Sequence, residues 1–392
     1  MAGKKGLTQL ECRLWGAFLI FLLGSGYAAN AQATGSRKWA GWAFEQSIHY
    51  GVAIQHSPKI RAPLSGFVYG AEVNVAKQTT GRKTWEARHR RPELGIAISY
   101  LRYANPGVYG DAIGFMPNIT FGTSSRKKVY AHFRLGVGLA VLTKPYHPVD
   151  NPTNVYIGSY LNNMTSLRFG LGFRLSEQVR LHASVCLTHC SNGGSQMPNL
   201  GINTATGLLG LYYQPCPYRK DELRPDSLPA RPREKSRRWH GVVTGGLAQI
   251  ERMAPGGPKF WLPSVSIEIA RFLSPVNRLG LGFLWEYDQS RYQFLRFSQN
   301  WAGDPAEQSL QSQRFAVYLA DEIFFGKLSM NFQAGGYIVQ AENQPKPYFA
   351  RLGLRYYFRP ADAKGLKPHV GVYLKAHNTT AEYVGFGLGF AW

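Results

Sequence analysis

Val129–Leu142 reads VYAHFRLGVGLAVL. Phe133, Leu135, Val137, Leu139 and Val141 share one parity, and His132, Arg134, Gly136, Gly138 and Ala140 share the other. A period of two marks a strand with two unlike faces. Ser166–Leu175 repeats the pattern, with Leu167, Phe169, Leu171, Phe173 and Leu175 opposing Arg168, Gly170, Gly172 and Arg174. A soluble sandwich would hide the apolar face and turn the other to water. Water does not call for glycine beside arginine. A crowded barrel interior does, because long side chains need room there. The stretch therefore predicts lipid on one face and a packed lumen on the other, which is an all-β transmembrane antiparallel β-barrel.

Working outward, Ser47–His56, Gly66–Lys77, Leu94–Tyr103 and Ala112–Gly122 precede these strands, and Val179–His189 and Asn203–Tyr213 follow them. A polar stretch, Thr79–Arg91, and a long Pro- and Asn-rich loop, Thr143–Met164, interrupt the series. Gln214–Arg238 then breaks the pattern with prolines and charges, as a linker or long periplasmic turn does. Beyond it, the expected strands are Gly241–Arg252, Leu262–Phe272, Leu279–Tyr287, Arg314–Phe324, Lys327–Gln340, Tyr348–Phe358, Lys367–His377 and Glu382–Trp392. No convincing amphipathic helix is evident. The halves look like a repeat, since KVYAHFRLGVGLAV resembles KLSMNFQAGGYIVQ and His377 falls where His189 does. Thr379 stands where Ser191 does, so the second copy lacks that serine. About sixteen strands in two eight-strand repeats fit either tandem eight-stranded barrels or one large barrel. Small barrels are slightly favoured by the linker and the inward glycines.

Composition agrees. Of 392 residues, 44% are hydrophobic and only 17% charged. The mean hydropathy of −0.24 excludes a helical membrane protein but not a barrel, whose strands are apolar on one face only. A net charge of +22 suits an anionic membrane surface. The cations are scattered, with neither a basic helix nor a stacking platform, so no nucleic acid is expected. Lys4, Lys5 and Arg13, then the apolar run Leu14–Leu23 and the small-x-small Ala29–Ala31, form an export signal. The expected organisation is a signal peptide at 1–31, a first barrel repeat at 32–214, a linker at 215–238 and a second repeat at 239–392. Three cysteines follow the signal, Cys186, Cys190 and Cys216, an odd count that argues against a disulfide framework. No metal-ligand spacing is present, and no cofactor or metal is expected.

The chemistry gathers in Leu187–Asn203, LTHCSNGGSQMPNLGIN. His189 and Ser191 share a face on the parity of Leu181, Val185 and Leu187, which a barrel turns to lipid. A serine hydroxyl needs a base, and the base needs a third group to fix its tautomer. A hairpin around Gly193–Gly201 would return Asn203 beside His189 as that group. Asn192, Gly193, Gly194 and Asn199 are candidate oxyanion donors, since glycine lets N–H groups converge. The alternative reading of HCSNGG is a turn that merely closes a hairpin. Cys190 neighbours His189 but points to the opposite face, against a Cys–His pair.

The run HCSNGGSQMPNLGIN resembles the active-site signature of the lipid A 3-O-deacylase (PagL) family of outer-membrane enzymes. His189, Ser191, Asn192, Pro198, Asn199, Gly201 and Ile202 carry the match. The resemblance implies an eight-stranded barrel over residues 47–213. It also implies a Gram-negative outer-membrane location and a serine esterase that removes an ester-linked acyl chain from lipid A in lipopolysaccharide. Ser191 would be the nucleophile and His189 the base. The chain departs from the signature at Asn203, where an acid is expected. The second half resembles the longer, acyloxyacyl-hydrolase-like relatives. Lys144 and His147 read as solvated loop charges that could meet lipid A phosphates. A catalytically inactive scaffold, adhesin or pore is the other reading, and a homo-oligomer stays open.

Overall fold

In the computed structural model, the described residues are 37–392 except 56–65, 123–126, 225–238, 300–301, 340–345, 361–362 and 378–379. The signal segment and most of the linker lie outside them, as does Thr379. Eight antiparallel strands close into a first barrel: β1 Trp42–Ile54, β2 Phe67–Gln78, β3 Glu93–Arg102, β4 Asp111–Gly122, β5 Val129–Leu142, β6 Leu161–Arg174, β7 Val179–Ser191 and β8 Ile202–Tyr213. A second barrel follows: β9 Trp239–Glu251, β10 Lys259–Ser274, β11 Asn277–Tyr287, β12 Gln313–Phe325, β13 Leu328–Val339, β14 Tyr348–Tyr357, β15 Lys367–His377 and β16 Thr380–Ala391. In each, the last strand pairs with the first, so the architecture is two tandem eight-stranded barrels and not one large one.

The alternation read from β5 and β6 is why both close. Outward positions carry exposed apolar side chains, such as Ile98 at 57% and Phe169 at 55% exposure. Inward positions carry buried charge. Arg134 pairs with Glu45 and, at 3.2 Å, with Glu72. Arg168 reaches Glu45 at 2.6 Å, and His182 reaches it at 2.8 Å. The second lumen repeats the device with other residues. Glu286 meets Lys375 and, at 3.3 Å, Arg314, while Glu322 meets Arg278 and, at 3.4 Å, Arg355. The inward glycines give these side chains room. A Cβ on Gly172 would lie 2.3 Å from the Tyr130 ring, and one on Gly282 would lie 2.2 Å from Tyr318. Two filled eight-stranded lumens remove the sixteen-stranded closure on which the pore reading depended.

Several details differ from expectation. β6 begins at Leu161, well before Ser166, because Asn162 and Asn163 extend the strand with polar residues that carry no apolar alternation. Helices lie in the connections: α1 Thr84–Arg88, α2 Gln289–Ser298 and α3 Pro305–Gln311. Asp288 caps α2 by accepting from Ser290 N–H at 3.0 Å, and Asp304 caps α3 with proline at the first turn. His377 is not the counterpart of His189. On β15 it shares parity with the inward Lys375 and Tyr373, and its Nε2 lies 3.0 Å from Tyr337 Oη. Its side chain therefore lies on the face opposite to that of His189.

The barrels stand side by side in the same sense. At one end, α1 of the first barrel meets the β12–β13 turn of the second. There His89 Nε2 lies 3.0 Å from Phe324 O, and burial lowers the His89 imidazole pKa below its ordinary value. At the other end, the β7–β8 turn meets the end of β9. The longer connections, residues 143–160 and 288–312, lie at this second end, as extracellular loops of outer-membrane barrels do.

The lumen network yields a test. Glu45→Ala leaves Arg134, Arg168 and His182 facing one another without their shared carboxylate. It should destabilise the first barrel by roughly 3–5 kcal/mol, as removal of one member of a buried charge cluster does. Urea unfolding in detergent micelles measures it, and an unchanged midpoint would refute the network's role.

Candidate active site

β7 and β8 form a hairpin whose register sets His189 opposite Asn203. Leu181, Val185 and Leu187 on the parity of His189 are exposed, whereas Cys186, Thr188 and Cys190 are buried. The imidazole is therefore on the lipid side, at the end of an apolar stripe. Cys190 points into the lumen and accepts from Tyr103 O–H at 3.4 Å, so no Cys–His pair forms.

His189 Nδ1 lies 2.6 Å from Asn203 Oδ1, and Nε2 lies 2.9 Å from Ser191 Oγ. The amide oxygen can only accept, so Nδ1–H donates to it. That leaves Nε2 bare to accept from the serine hydroxyl. The structure thus brings together His189, Ser191 and Asn203. Ser191 has outward parity yet is only 3% exposed, because the turn folds back over it.

That turn is built from short polar side chains and glycine. Gly193, Gly194 and Gly201 all have positive φ, at +63°, +82° and +75°. Gly201 matters twice, since a Cβ there would also lie 2.8 Å from His189 Cε1 and 3.4 Å from Ser191 Cβ. Asn192 N–H donates to Asn199 Oδ1 at 3.0 Å. The Asn192 side-chain amide donates to Ser159 Oγ at 3.0 Å and to Gln196 O at 2.8 Å. Gly194 N–H donates to Asn192 Oδ1 at 3.0 Å.

Two of the four expected oxyanion residues, Asn192 and Gly194, use their donors in holding the turn. Asn199 is held through its Oδ1, so its side-chain N–H groups carry no bond among the described residues. The Gly193 N–H carries no hydrogen bond among the described residues. The correction has a simple cause. A tight turn has more orphan backbone groups than neighbours, so its own side chains satisfy them first.

The long loop between β5 and β6 is the other support. Gly201 N–H donates to Tyr156 O at 3.0 Å, and Ile157 bridges to Asn199. Asn154 Oδ1 holds that loop by accepting from Tyr156 N–H at 3.1 Å. Ser159, Tyr156 and Asn154 were not legible as site residues; the loop's asparagines, whose side chains bond nearby backbone as Asn154 does, are the signal that could have found them. Lys144 Nζ donates to Gly107 O at 3.0 Å, and His147 pairs with Asp150 at 3.1 Å. Both are loop contacts on the exposed surface. Among the described residues no cluster of His, Cys, Asp and Glu could hold a metal ion.

Residues 69–212 match the family model described as lipid A 3-O-deacylase (PagL). Residues 237–392 match the one described as acyloxyacyl hydrolase, C-terminal domain. The chain belongs to the PagL family. Its fold is that of an outer-membrane lipid A deacylase, and the family is one of hydrolases. The second barrel is the family's C-terminal domain. Among solved structures, the outer membrane enzyme PagL is 18% identical, with 42% of this chain and 97% of that one covered and a TM-score of 0.30. Neisserial surface protein A is 8% identical, with 44% and 97% covered and a TM-score of 0.30. The Acinetobacter baumannii protein OccAB4 is 8% identical, with 90% and 97% covered and a TM-score of 0.24. No curated protein matches the chain.

A substitution at Gly201 tests the geometry. Gly201→Ala combines left-handed backbone strain of about 1–3 kcal/mol with a clash against the imidazole. The expected result is a barrel that still folds but whose His189 ring resonances shift by NMR. Unmoved resonances would refute the contact.

Proposed function

We propose that the protein is an outer-membrane serine esterase that removes an ester-linked acyl chain from lipid A. The observation that carries the reading is the chain of two hydrogen bonds from Ser191 through His189 to Asn203, on the lipid-facing side of the β7–β8 hairpin near its loop end. An acyl ester of an outer-leaflet lipid lies at that depth, between hydrocarbon and headgroup.

The steps follow from the contacts. Ser191 Oγ attacks the ester carbonyl as its proton passes to His189 Nε2. The imidazolium is oriented by the Asn203 amide oxygen. The carbonyl oxygen becomes an oxyanion beside the turn, where the Gly193 N–H and the Asn199 side-chain N–H groups are unengaged donors among the described residues. When the tetrahedral species collapses, the C–O bond to the sugar breaks and His189 returns the proton to the leaving alkoxide. Water then hydrolyses the acyl-serine by the same route, releasing a free fatty acid and restoring Ser191. An amide oxygen orients the imidazole but stabilises its charge less than a carboxylate does. The turnover is accordingly slower than the same site with an acid at position 203 would give. The reading includes export by the segment at residues 1–31, whose charged start, apolar run and small-x-small end suit a signal.

Fatty-acid release from purified lipopolysaccharide in mixed micelles tests this. Ser191→Ala should fall by ~10³-fold or more, to the background rate. Asn203→Asp should raise kcat, by about ten-fold, because a carboxylate stabilises the imidazolium better. Equal release by wild type and Ser191→Ala would leave the inactive-scaffold reading standing instead.

A further inference from the structure

The turn that carries Ser191 has a second wall, and it comes from the other barrel. Glu251, the last residue of β9, is only 3% exposed. Its carboxylate accepts from the Met197 N–H, and its own N–H donates to Gly194 O at 3.1 Å. β16 closes the same side. A Cβ on Gly193 would lie 2.2 Å from Val384 Cγ2, and one on Gly194 would lie 2.6 Å from Glu382 O. The close approach of Glu382 follows from a register shift at Lys375/Ala376. Tyr383 pairs with Lys375 and Ala381 with Ala376, so Glu382 has no partner across the ladder. Its side chain turns to Arg314 at 2.5 Å, and its carbonyl faces the turn.

A carboxylate taken out of water is costly unless charge-assisted hydrogen bonds offset the loss. Glu251 has no cation partner among the described ion pairs. The bond it makes goes to the main chain of a turn in the other barrel. Gly193 and Gly194, whose missing side chains admit β16, are the two residues that immediately follow Ser191–Asn192. Gly193 also carries an N–H that is unengaged among the described residues.

We propose that the C-terminal barrel is a fixed wall for the nucleophile turn and that Glu251 is a positioning residue for the hydrolytic reaction. By fixing Met197 and Gly194 it holds the Gly193 N–H where the ester oxyanion forms. The inference rests on the esterase reading above and gives the second barrel, which lacks a counterpart of Ser191, a part in the same site.

The test uses the full chain in micelles with lipopolysaccharide as substrate, and hydrogen exchange of the peptide spanning residues 192–201. Glu251→Ala should lower kcat about ten-fold or more, the penalty of a misplaced catalytic group. KM should stay within about two-fold, since substrate binding is untouched. Exchange in 192–201 should quicken while strand peptides keep their protection. Glu251→Gln keeps an oxygen acceptor and should restore most of kcat. Leu281→Ala, on the lipid-facing side of β11, should match wild type. If Glu251→Ala does not fold, Val384→Ala serves in its place, with a kcat loss of roughly three-fold and faster exchange. Unchanged exchange overturns the proposal whatever the rate. Faster exchange with unchanged kcat overturns it too, because the contact then only stabilises the turn. Equal release by wild type and Ser191→Ala ends the esterase reading, and the positioning role with it, and is read from a different variant.

Discussion

Backbone closure in lipid governs this protein. A strand surrounded by hydrocarbon has no water to satisfy its N–H and C=O groups, so each ladder must find another and the sheet must end where it began. Both sheets do so after eight strands. Eight is the number at which the lumen is only as wide as the side chains that fill it. Every inward position is then a packing problem, met by glycine next to tyrosine and arginine next to glutamate.

The filled lumen makes the outer wall the place for chemistry. On one face of β7, buried Arg180 and His182 are bonded to Gln214 and Glu45, while the opposite face carries His189 to the rim. Rigidity matters because a hydrogen-bonded serine and imidazole are useful only if neither drifts. Register does the rest. His189 and Asn203 are cross-strand partners, so the hairpin that closes the barrel also sets the base against its orienting group.

The turn beyond them lacks this ladder. It is held by short polar side chains, by the β5–β6 loop, and on its far side by a second barrel. The two halves share a fold and an alternation but divide their roles. His377 turns inward to Tyr337, and the edge formed by β9 and β16 faces the first barrel's turn.

The strands and their faces were legible in the chain, because lipid and lumen impose a period of two that single residues display. β5 ran from Val129 to Leu142 as read. The His189–Ser191 pairing and its partner Asn203 were legible for the same reason, since parity and a hairpin suffice to bring them together. β6 was read short because Asn162 and Asn163 are strand residues without the apolar mark. The helices at Gln289 and Pro305 were missed although Asp288 and Asp304 announce their caps.

Only the tertiary structure decided three matters: that the sheet closes twice, that the Asn192 donors serve the turn, and that Glu251 reaches the nucleophile's loop. Closure depends on which distant strands meet, and donor use depends on which groups are already satisfied. The join between barrels depends on two surfaces separated by a linker. None of these is a local property, so no periodicity in the sequence records them.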